Sequence, residues 1–293
     1  MKSSCITAPH KAAPRQGRRK FVFLLLLCVG WTLLSLPARA QSSAKLPAPD
    51  KIIDGYWKAL GGKKKVAALR DATYEWQVVR DGQNIGTAQS SLKTPAFMRW
   101  SLRLDTGELV TGATAASAWS RGADGSLRTL TTQEGGPARL QATLEASRLV
   151  DLKKNNILAR TVTLADGGGE PSYVVEFTVK TGAQLRYWFG RDSKLLRQIT
   201  DTDNRLLARF SDYRPENGWP EPHTLERNIP KLGLLTFKLQ RAAYNNNLAA
   251  SYFDAPRSAE DIDIPALLRQ LDANQAKIDA RDVDPARGRL HKF

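Results

Sequence analysis

Apolar and polar residues alternate along most of this 293-residue chain. In the segments 74–78 and 98–104 every second position is aromatic or aliphatic, and the positions between them are polar. Because successive side chains of a strand point to opposite faces, this period of two predicts half-buried strands. Turn signals such as Asp81-Gly82 join the segments as hairpins. The pattern predicts about eleven successive antiparallel strands.

Two short segments before the first strand show helical spacing instead. The first follows Asp50, which is interpreted as an N-cap, and stops at Gly61-Gly62. The second covers residues 63–70. Together they predict a pair of helices that precedes the sheet.

A longer helical stretch interrupts the strands. It runs over residues 137–150, opens with Pro137, and places Leu140 and Leu144 one turn apart. A final helix is expected from Asp263 to about residue 280. Many strands with tight turns and few helices predict a mainly β protein with helical cover (α+β), built on one strongly curved antiparallel sheet.

The first forty residues have the three parts of a secretory signal peptide. Arg18-Arg19-Lys20 is a basic region, residues 21–36 are apolar, and Ala38-Arg39-Ala40 is a small-residue cleavage site. Cleavage there predicts a periplasmic protein. Two alternatives stay open, namely an uncleaved inner-membrane anchor over residues 21–38 and export by the twin-arginine route.

Removal of this leader changes the charge and the cysteine content. The full chain carries a net charge of +15, but seven of its 44 basic residues and none of its 29 acidic residues lie in the first forty, which leaves +8. The remaining basic runs, such as Lys63-Lys64-Lys65, are short. They suggest an anionic membrane surface as a partner rather than nucleic acid. Both cysteines, Cys5 and Cys28, belong to the leader, so the cleaved protein would contain no disulfide and no thiol.

No arrangement of residues predicts an enzyme. Hydrolysis needs a nucleophile with a base in reach, and the histidines beyond the leader are His223 and His291. Leu104-Asp105-Thr106-Gly107 matches the aspartic-protease triplet, but no second copy exists and Asp-x-Gly between strands is a turn by default. We predict a protein without catalytic activity, cofactor or metal, and an aspartic-type hydrolase acting through Asp105 is the least favoured alternative.

The apolar faces of the predicted strands suggest an internal cavity. A curved sheet of this size encloses more volume than its own side chains fill, and a buried acyl chain gains about 0.8 kcal/mol per methylene. Alternation assigns residues to a common face of a strand, but it does not say which face is concave. The residues predicted to line an acyl-binding cavity are Tyr74, Trp76, Met98, Trp100, Trp119, Val175, Phe177, Tyr187, Phe189, Phe210 and Phe237.

Several short motifs resemble those of a known family. Tyr213-Arg214, Asn217-Gly218 and Pro222 follow a Tyr-Arg-x2-Asp/Asn-Gly-x3-Pro pattern. An Arg-Tyr-Trp-Phe strand at residues 186–189 precedes them, and Phe253-Asp254-Ala255-Pro256 follows. In this order the motifs resemble the outer-membrane lipoprotein-sorting proteins, relatives of the LolA/LolB carriers, over about residues 48–263.

The resemblance implies a half-barrel of about eleven strands that is closed by helices, resides in the periplasm and holds acyl chains. It also implies that residues 137–150, with Leu140 and Leu144, form a lid. The expected division is a signal peptide over residues 1–40, a linker over 41–49, a LolA-like half-barrel over 50–263, and a C-terminal helix with a charged tail over 264–293.

Two functional hypotheses follow. The leading one is a periplasmic, non-enzymatic carrier or binder of lipid or lipoprotein acyl chains. The alternative is an envelope accessory protein whose core is filled by its own side chains and which binds a protein partner.

Overall fold

The computed structural model describes residues 45–256 together with Arg269, Asp272 and Ala273. The predicted signal peptide and charged tail lie outside these residues. Most of the predicted final helix also lies outside them, and its three described positions are helical. The division of the chain into signal peptide, linker, half-barrel and tail stays a prediction.

The strands form one antiparallel sheet. They are β1 Asp71–Arg80, β2 Gln83–Lys93, β3 Phe97–Leu104, β4 Gly107–Ala113, β5 Ala118–Arg121, β6 Leu127–Thr129, β7 Ile157–Asp166, β8 Pro171–Val179, β9 Gln184–Gly190, β10 Leu196–Thr200, β11 Leu206–Glu216, β12 Trp219–Ile229 and β13 Gly233–Tyr244. The sheet thus has thirteen strands rather than about eleven. The two short strands β5 and β6 pair in register at one edge.

The strand order places the first and last strands side by side in the middle of the sheet. The order is β6-β5-β4-β3-β2-β1-β13-β12-β11-β10-β9-β8-β7. One meander runs from β1 to the β6 edge, and a second runs from the β7 edge to β13. The pairing of β1 with β13, with Ala72 opposite Tyr244, joins the two meanders. The result is an open sheet and not a closed barrel.

Because β6 and β7 lie at opposite edges, the connection between them has to cross the whole sheet. This connection contains helix α3, Gly136–Ala146, where α1 and α2 are the two helices that precede β1. Helix α3 contacts β2 to β5 on one side and β9 on the other. Pro137 lies in the first turn of the helix as predicted, and the side chains of Leu140 and Leu144 are buried on its sheet-facing side. The helix therefore bridges both meanders.

The two leading helices are α1 Pro49–Ala59 and α2 Lys63–Ala67. Helix α1 starts before the predicted N-cap Asp50, and Ala48 takes the cap position. Proline suits the first turn because its missing N–H has no helical partner there. Gly61, with a φ of 100°, ends α1 as predicted.

The face of the sheet that α1 and α3 cover, here called the concave face, carries the main hydrophobic core. Tyr56 of α1, Leu144 of α3 and Phe189 of β9 belong to this core. The rings of Tyr56 and Phe189 lie 5.3 Å apart. Both leading and crossover helices are therefore held by the same apolar surface.

Part of the opposite, convex face is covered by the segment that follows β13. Its 3₁₀ helix, Ala250–Phe253, buries Phe253, whose ring lies 5.5 Å from that of Phe97. Trp119 donates a hydrogen bond from Nε1 to the carbonyl oxygen of Phe253 at 3.0 Å. Trp119 therefore lies on the convex face.

Candidate functional site

A small cavity lies between the concave face and α3. Its volume is about 110 Å³ and its lining is mostly apolar. Leu60 of α1's C-terminus, Leu144 of α3 and Leu225 of β12 all border it. The cavity is therefore bordered by both meanders and by the helices that cover them.

Aromatic side chains of β1 and β3, which lie on either side of β2, form one wall of the cavity. The register places Tyr74 opposite Ser90, and Ser90 opposite Trp100. The rings of Tyr74 and Trp76 are 6.0 Å apart, and those of Trp76 and Trp100 are 6.2 Å apart and nearly parallel. Trp76 Nε1 donates to Ser90 Oγ at 3.0 Å. The three rings of this wall therefore form a continuous row, in which Trp76 is also hydrogen-bonded to the adjacent strand β2.

Five of the eleven residues predicted to line an acyl cavity border this one. They are Tyr74, Trp76, Trp100, Tyr187 and Phe210. Of the two predicted lid residues, Leu144 borders the cavity and Leu140 is buried in the adjoining core. These residues, which were selected by their alternation along the strands, all lie on the concave face.

The other six predicted residues lie elsewhere. Four are at most 1% exposed and fill the core around the cavity, namely Val175, Phe177, Phe189 and Phe237. Met98 belongs to a separate small cluster with Ala113, Ala118 and Ala142. The prediction for Trp119 is wrong, because the short strand β5 turns this ring to the convex face, over Gly112.

A buried polar cluster forms another part of the cavity lining. Arg148 Nη2 donates to Glu221 Oε1 at 2.8 Å and to the Tyr74 hydroxyl at 2.5 Å. The same carboxylate oxygen accepts hydrogen bonds from Tyr74 at 3.1 Å and from Tyr244 at 3.0 Å. The side chains of Arg148 and Glu221 are only 9% and 5% exposed. These four residues are called the Arg148–Glu221 cluster below.

Burial and pairing determine the protonation of Arg148 and of the tyrosines around it. Burial raises the pKa of Tyr56 to about 12 and also raises the pKa values of Tyr74 and Tyr244. Burial alone would lower the pKa of Arg148, but Glu221 and the neighbouring tyrosines hold it above its ordinary value. At neutral pH the arginine is therefore a cation and the tyrosine hydroxyls keep their protons.

The turn after α3 positions Arg148. Arg148 and Leu149 have positive φ angles of 46° and 65°, which residues other than glycine rarely adopt. Leu149 N donates to the carbonyl oxygen of Leu144 at 3.0 Å, and Trp57 Nε1 donates to that of Arg148 at 2.9 Å. The guanidinium lies 5.2 Å from the centre of the Trp219 ring. This turn ends α3 at Ala146, earlier than the predicted residue 150.

Sequence reasoning missed Arg148 as a site residue. A signal was present, since Arg148 follows Leu140 and Leu144 at the same four-residue spacing. Residues four apart share one side of a helix. A charge in line with the apolar side of the predicted lid indicates a buried ionic contact.

Sequence reasoning also missed Glu221. It stands between Pro220 and Pro222, and prolines argue against the interior of a strand. The predicted strand therefore began at His223, whereas β12 begins at Trp219. The earlier start brings Glu221 into the sheet opposite Arg214.

Two hydrogen-bond donors at the cavity have no partner among the residues that the structure describes. They are Arg148 Nε and the hydroxyl of Tyr187, a residue that is 2% exposed. Burial raises the pKa of Tyr187. Glu145 of α3 also borders the cavity, where it accepts a hydrogen bond from Gln141 Nε2 at 2.6 Å. Burial raises the pKa of Glu145 as well.

The residues considered for catalysis lie away from this arrangement. Asp105 is exposed in the two-residue turn between β3 and β4. His223 Nε2 lies 3.8 Å from Glu216 Oε2, and His291 lies outside the described residues. Within residues 45–256 and the three later described positions, no three potential metal ligands cluster together. In the same part of the chain no helix is long and apolar enough to span a membrane, and the alternative anchor at residues 21–38 lies outside it.

Fold and site together define a class of protein, an open antiparallel half-barrel with a small apolar cavity beneath a crossover helix. Solved structures similar to this chain include a DUF1329 family protein from Desulfovibrio piger, with 14% identity, a TM-score of 0.44, and coverage of 70% of this chain and 96% of that one. A LolA superfamily protein from Nitrosomonas europaea has 11% identity, a TM-score of 0.44, and coverage of 71% and 98%. An outer membrane lipoprotein-sorting protein domain from Vibrio parahaemolyticus has 10% identity, a TM-score of 0.41, and coverage of 69% and 97%.

The scan of protein-family models and the search of curated proteins both find no match. Two of these solved structures carry the LolA and lipoprotein-sorting names of the family that the sequence motifs resemble. What this chain binds has to be argued from its own cavity.

Proposed function

We propose that this protein is an exported, non-enzymatic binder of acyl chains, which it holds in the cavity beneath α3. The observation that supports this most is the mostly apolar cavity, walled by Tyr74, Trp76 and Trp100 and covered by a helix. Transfer of a methylene group from water to such a site is favourable by about 0.8 kcal/mol. No covalent step is needed for such a function.

The size of the cavity implies that a long chain displaces part of the cover. A cavity of about 110 Å³ is somewhat smaller than the roughly 150 Å³ space that holds one benzene molecule in another protein. A chain of many methylenes therefore has to extend out of the cavity or to move α3 away from the sheet. The helix is a connection between two edges, so it can shift without breaking the sheet.

A surface groove offers a route to the cavity. Leu60, Tyr213 and Pro220 border both the groove and the cavity. At the groove, Lys65 Nζ lies 4.5 Å from the centre of the Trp219 ring, and nearby Lys63 Nζ lies at the same distance from the Trp57 ring. These cations suit an anionic membrane surface as the donor or acceptor of the chain.

A chain-length series tests the proposal. Methyl esters of six to fourteen carbons are titrated while the fluorescence of the protein's tryptophans is recorded. We expect the dissociation constant to fall about fourfold per added methylene, and to keep falling at lengths that exceed the volume of the cavity. An absence of binding at every length would refute the proposal.

A pair of leucine variants provides the control. Leu92 borders the cavity, whereas Leu164 of β7 is 40% exposed. Leu92→Phe places a larger side chain into the cavity and is expected to weaken ester binding at least about tenfold, since packed interiors resist added volume. Leu164→Phe is expected to leave binding unchanged.

A second candidate function, the binding of a protein partner, is favoured by how completely side chains fill the core. Phe177, Phe189 and Phe237 pack into the core instead of lining open space, as expected for an envelope accessory protein that binds a protein partner through its surface. In that case the affinity for methyl esters would stop rising with chain length at the shortest esters of the series. The same titration therefore separates the two functions.

Export is a separate part of the proposal. The predicted cleavage after Ala40 implies that the periplasmic form begins at Gln41. N-terminal sequencing of the protein from a periplasmic fraction checks it. A full-length protein that stays with the inner membrane would support the anchor instead.

A further inference from the structure

A surface cleft lies at the end of the sheet where β1 begins. It is bordered by α2 and the residues after it, by the turn between β2 and β3, and by the loop that follows α3. Its volume is about 230 Å³, against about 110 Å³ for the cavity beneath α3, and no described residue borders both. The cleft is therefore separate from the proposed acyl-binding site.

Part of the cleft lining is apolar. Val66 and Leu69 are 2% and 6% exposed and belong to the main hydrophobic core. Val150, which is half-buried, and Pro95, which is exposed, border the cleft as well. An incoming molecule can therefore bury apolar side chains against this lining.

Positive side chains stand around the lining. One cation borders the cleft, three are next in sequence to a bordering residue, and one lies a helical turn before a bordering residue of α2. In that order they are Lys154, then Arg70, Lys93 and Lys153, then Lys64. Thr94 N donates to the carbonyl oxygen of Arg70 at 2.8 Å, which joins two of these segments. The five cations are called the basic rim below.

The charge of the basic rim is not matched by its neighbours. None of the five cations forms an ion pair with another described residue. By contrast, Arg160 and Arg209 of the sheet are each paired with a glutamate. Of the described residues that border the cleft, one, Asp151, is acidic. The rim therefore keeps an excess of positive charge.

The arrangement of charge and apolar surface favours an acidic polypeptide as the partner. The cations come from α2, from the end of β2 and from the loop after α3, so they suit a ligand with several negative groups along its length. A peptide can also place apolar side chains between its carboxylates, which matches the lining. The headgroups of a flat membrane would meet the rim but leave the recessed lining unfilled.

We propose that this cleft binds an acidic segment of a partner protein, with its carboxylates on the basic rim and its apolar side chains against Val66, Leu69 and Val150. The proposal goes beyond acyl binding and holds whether or not the cavity takes up acyl chains.

Two short peptides test the proposal by titration calorimetry. In the first, pairs of glutamates alternate with leucines, and in the second a glutamine replaces every glutamate. We expect the wild-type protein to bind the acidic peptide at least about tenfold more tightly at low salt, and this preference to shrink at about 0.5 M sodium chloride, because salt screens exposed charges. Equal binding of the two peptides, or no binding of either, would overturn the proposal.

Charge-reversal variants locate the binding surface. Lys93→Glu and Lys154→Glu are each expected to weaken binding of the acidic peptide about tenfold, because each replaces an attraction with a repulsion. Lys231→Glu is the matched control. It changes the net charge equally but lies at the other end of β1, where Arg80 Nη2 donates to the carbonyl oxygen of Leu232 at 2.8 Å.

We expect Lys231→Glu to leave peptide binding unchanged within about twofold, since charges so far apart are screened from each other. If this variant weakens binding as much as the other two, the peptide responds to net charge and not to the cleft, and the proposal is wrong. Titration with methyl esters should give the same result for all three variants, so failure of acyl binding would be seen separately.

Vesicles of phosphatidylglycerol and phosphatidylcholine test the competing partner. Helix α2 contributes Lys65 to the surface groove, whereas Val66 and Ala67 border the cleft. Lys93→Glu and Lys154→Glu are therefore expected to change sedimentation with these vesicles no more than Lys231→Glu does. A selective loss of vesicle binding in the two cleft variants, with peptide binding intact, would assign the cleft to a membrane surface and overturn the proposal.

Discussion

Two glutamates of this protein are buried to nearly the same degree and differ in what they hold together. Glu221 on the concave face is 4% exposed, and Glu176 on the convex face is 6% exposed. Glu176 accepts hydrogen bonds from Arg160 and Arg186 at 2.9 and 3.0 Å. These arginines stand directly opposite it on the two adjacent strands.

The partners of Glu221 come from distant parts of the chain. Arg148 follows the crossover helix, and Tyr74 and Tyr244 belong to the two strands at the middle of the sheet. The convex-face group is thus a local ladder across neighbouring strands, whereas the concave-face cluster fastens the cover to the sheet. Equal burial does not imply an equal structural role.

The largest expected difference between the two sites comes from removing one arginine at each. Arg148→Met leaves Glu221 buried without its cation, which is expected to lower the free energy of unfolding by about 3–5 kcal/mol. Arg160 is 73% exposed in its side chain, and Glu176 would keep Arg186. For Arg160→Met we expect a loss below about 1 kcal/mol.

Urea unfolding followed by tryptophan fluorescence measures both arginine variants. Equal losses of unfolding free energy in the two variants would show that the Arg148–Glu221 cluster stabilises the protein no more than the convex-face group does. The slope of the transition should stay unchanged if both variants fold to the same sheet.

A smaller difference in unfolding free energy is expected between removal of the paired hydroxyl of Tyr74 and removal of the hydroxyl of Tyr187. Tyr74→Phe removes contacts to Arg148 and Glu221 and is expected to cost about 1–3 kcal/mol. Tyr187→Phe removes a hydroxyl that has no partner among the described residues, so the free energy of unfolding should stay equal or rise. Thermal unfolding of the ligand-free protein checks both, and a large loss for Tyr187→Phe would show that its hydroxyl is paired in solution.

The smallest expected effect is the pH dependence of the convex ladder. Burial alone would raise the pKa of Glu176, but Arg160 and Arg186 hold it below its usual value. Glu176 therefore stabilises the protein above its unfolded pKa of about 4.3, and this contribution is lost as the pH falls through the lower folded value. We expect Glu176→Gln to have a shallower fall of the melting temperature below about pH 4.3 than the wild type.

Glu145, on the concave side, is expected to change the pH dependence of stability in the opposite direction. Burial raises its pKa, so its contribution is fully present below about pH 4.3 and is lost as the pH rises through the folded value. Glu145→Gln is expected to raise the melting temperature at pH 7 relative to the wild type. A lower melting temperature would mean that the charged form is stabilised by a partner.

The local sequence pattern was sufficient to predict the strands, but it was insufficient to predict their order in the sheet. Alternation around Tyr74 and Trp100 predicted half-buried strands, and both residues border the cavity. Nothing local says that β6 and β7 lie at opposite edges, yet this decides that α3 crosses the sheet. Trp119 shows the same limit, because four residues of β5 do not reveal which side faces the core.

The polar part of the site was harder to predict for a different reason. Arg148 and Glu221 are 73 residues apart, and each taken alone looks like a surface charge. Their burial follows from the crossover and from the unexpectedly early start of β12 at Trp219. Long-range pairing of opposite charges leaves little trace in a single sequence.

The pairing of β1 with β13 also governs the order in which the molecule can assemble. Each meander can form from neighbouring hairpins, but this seam joins Ala72 to Tyr244 and closes a loop of nearly the whole described chain. Contacts so distant in sequence form slowly. Tyr74 and Glu221 lie on either side of the seam, so the cavity cannot exist in either meander alone. The cavity is created only when the seam closes.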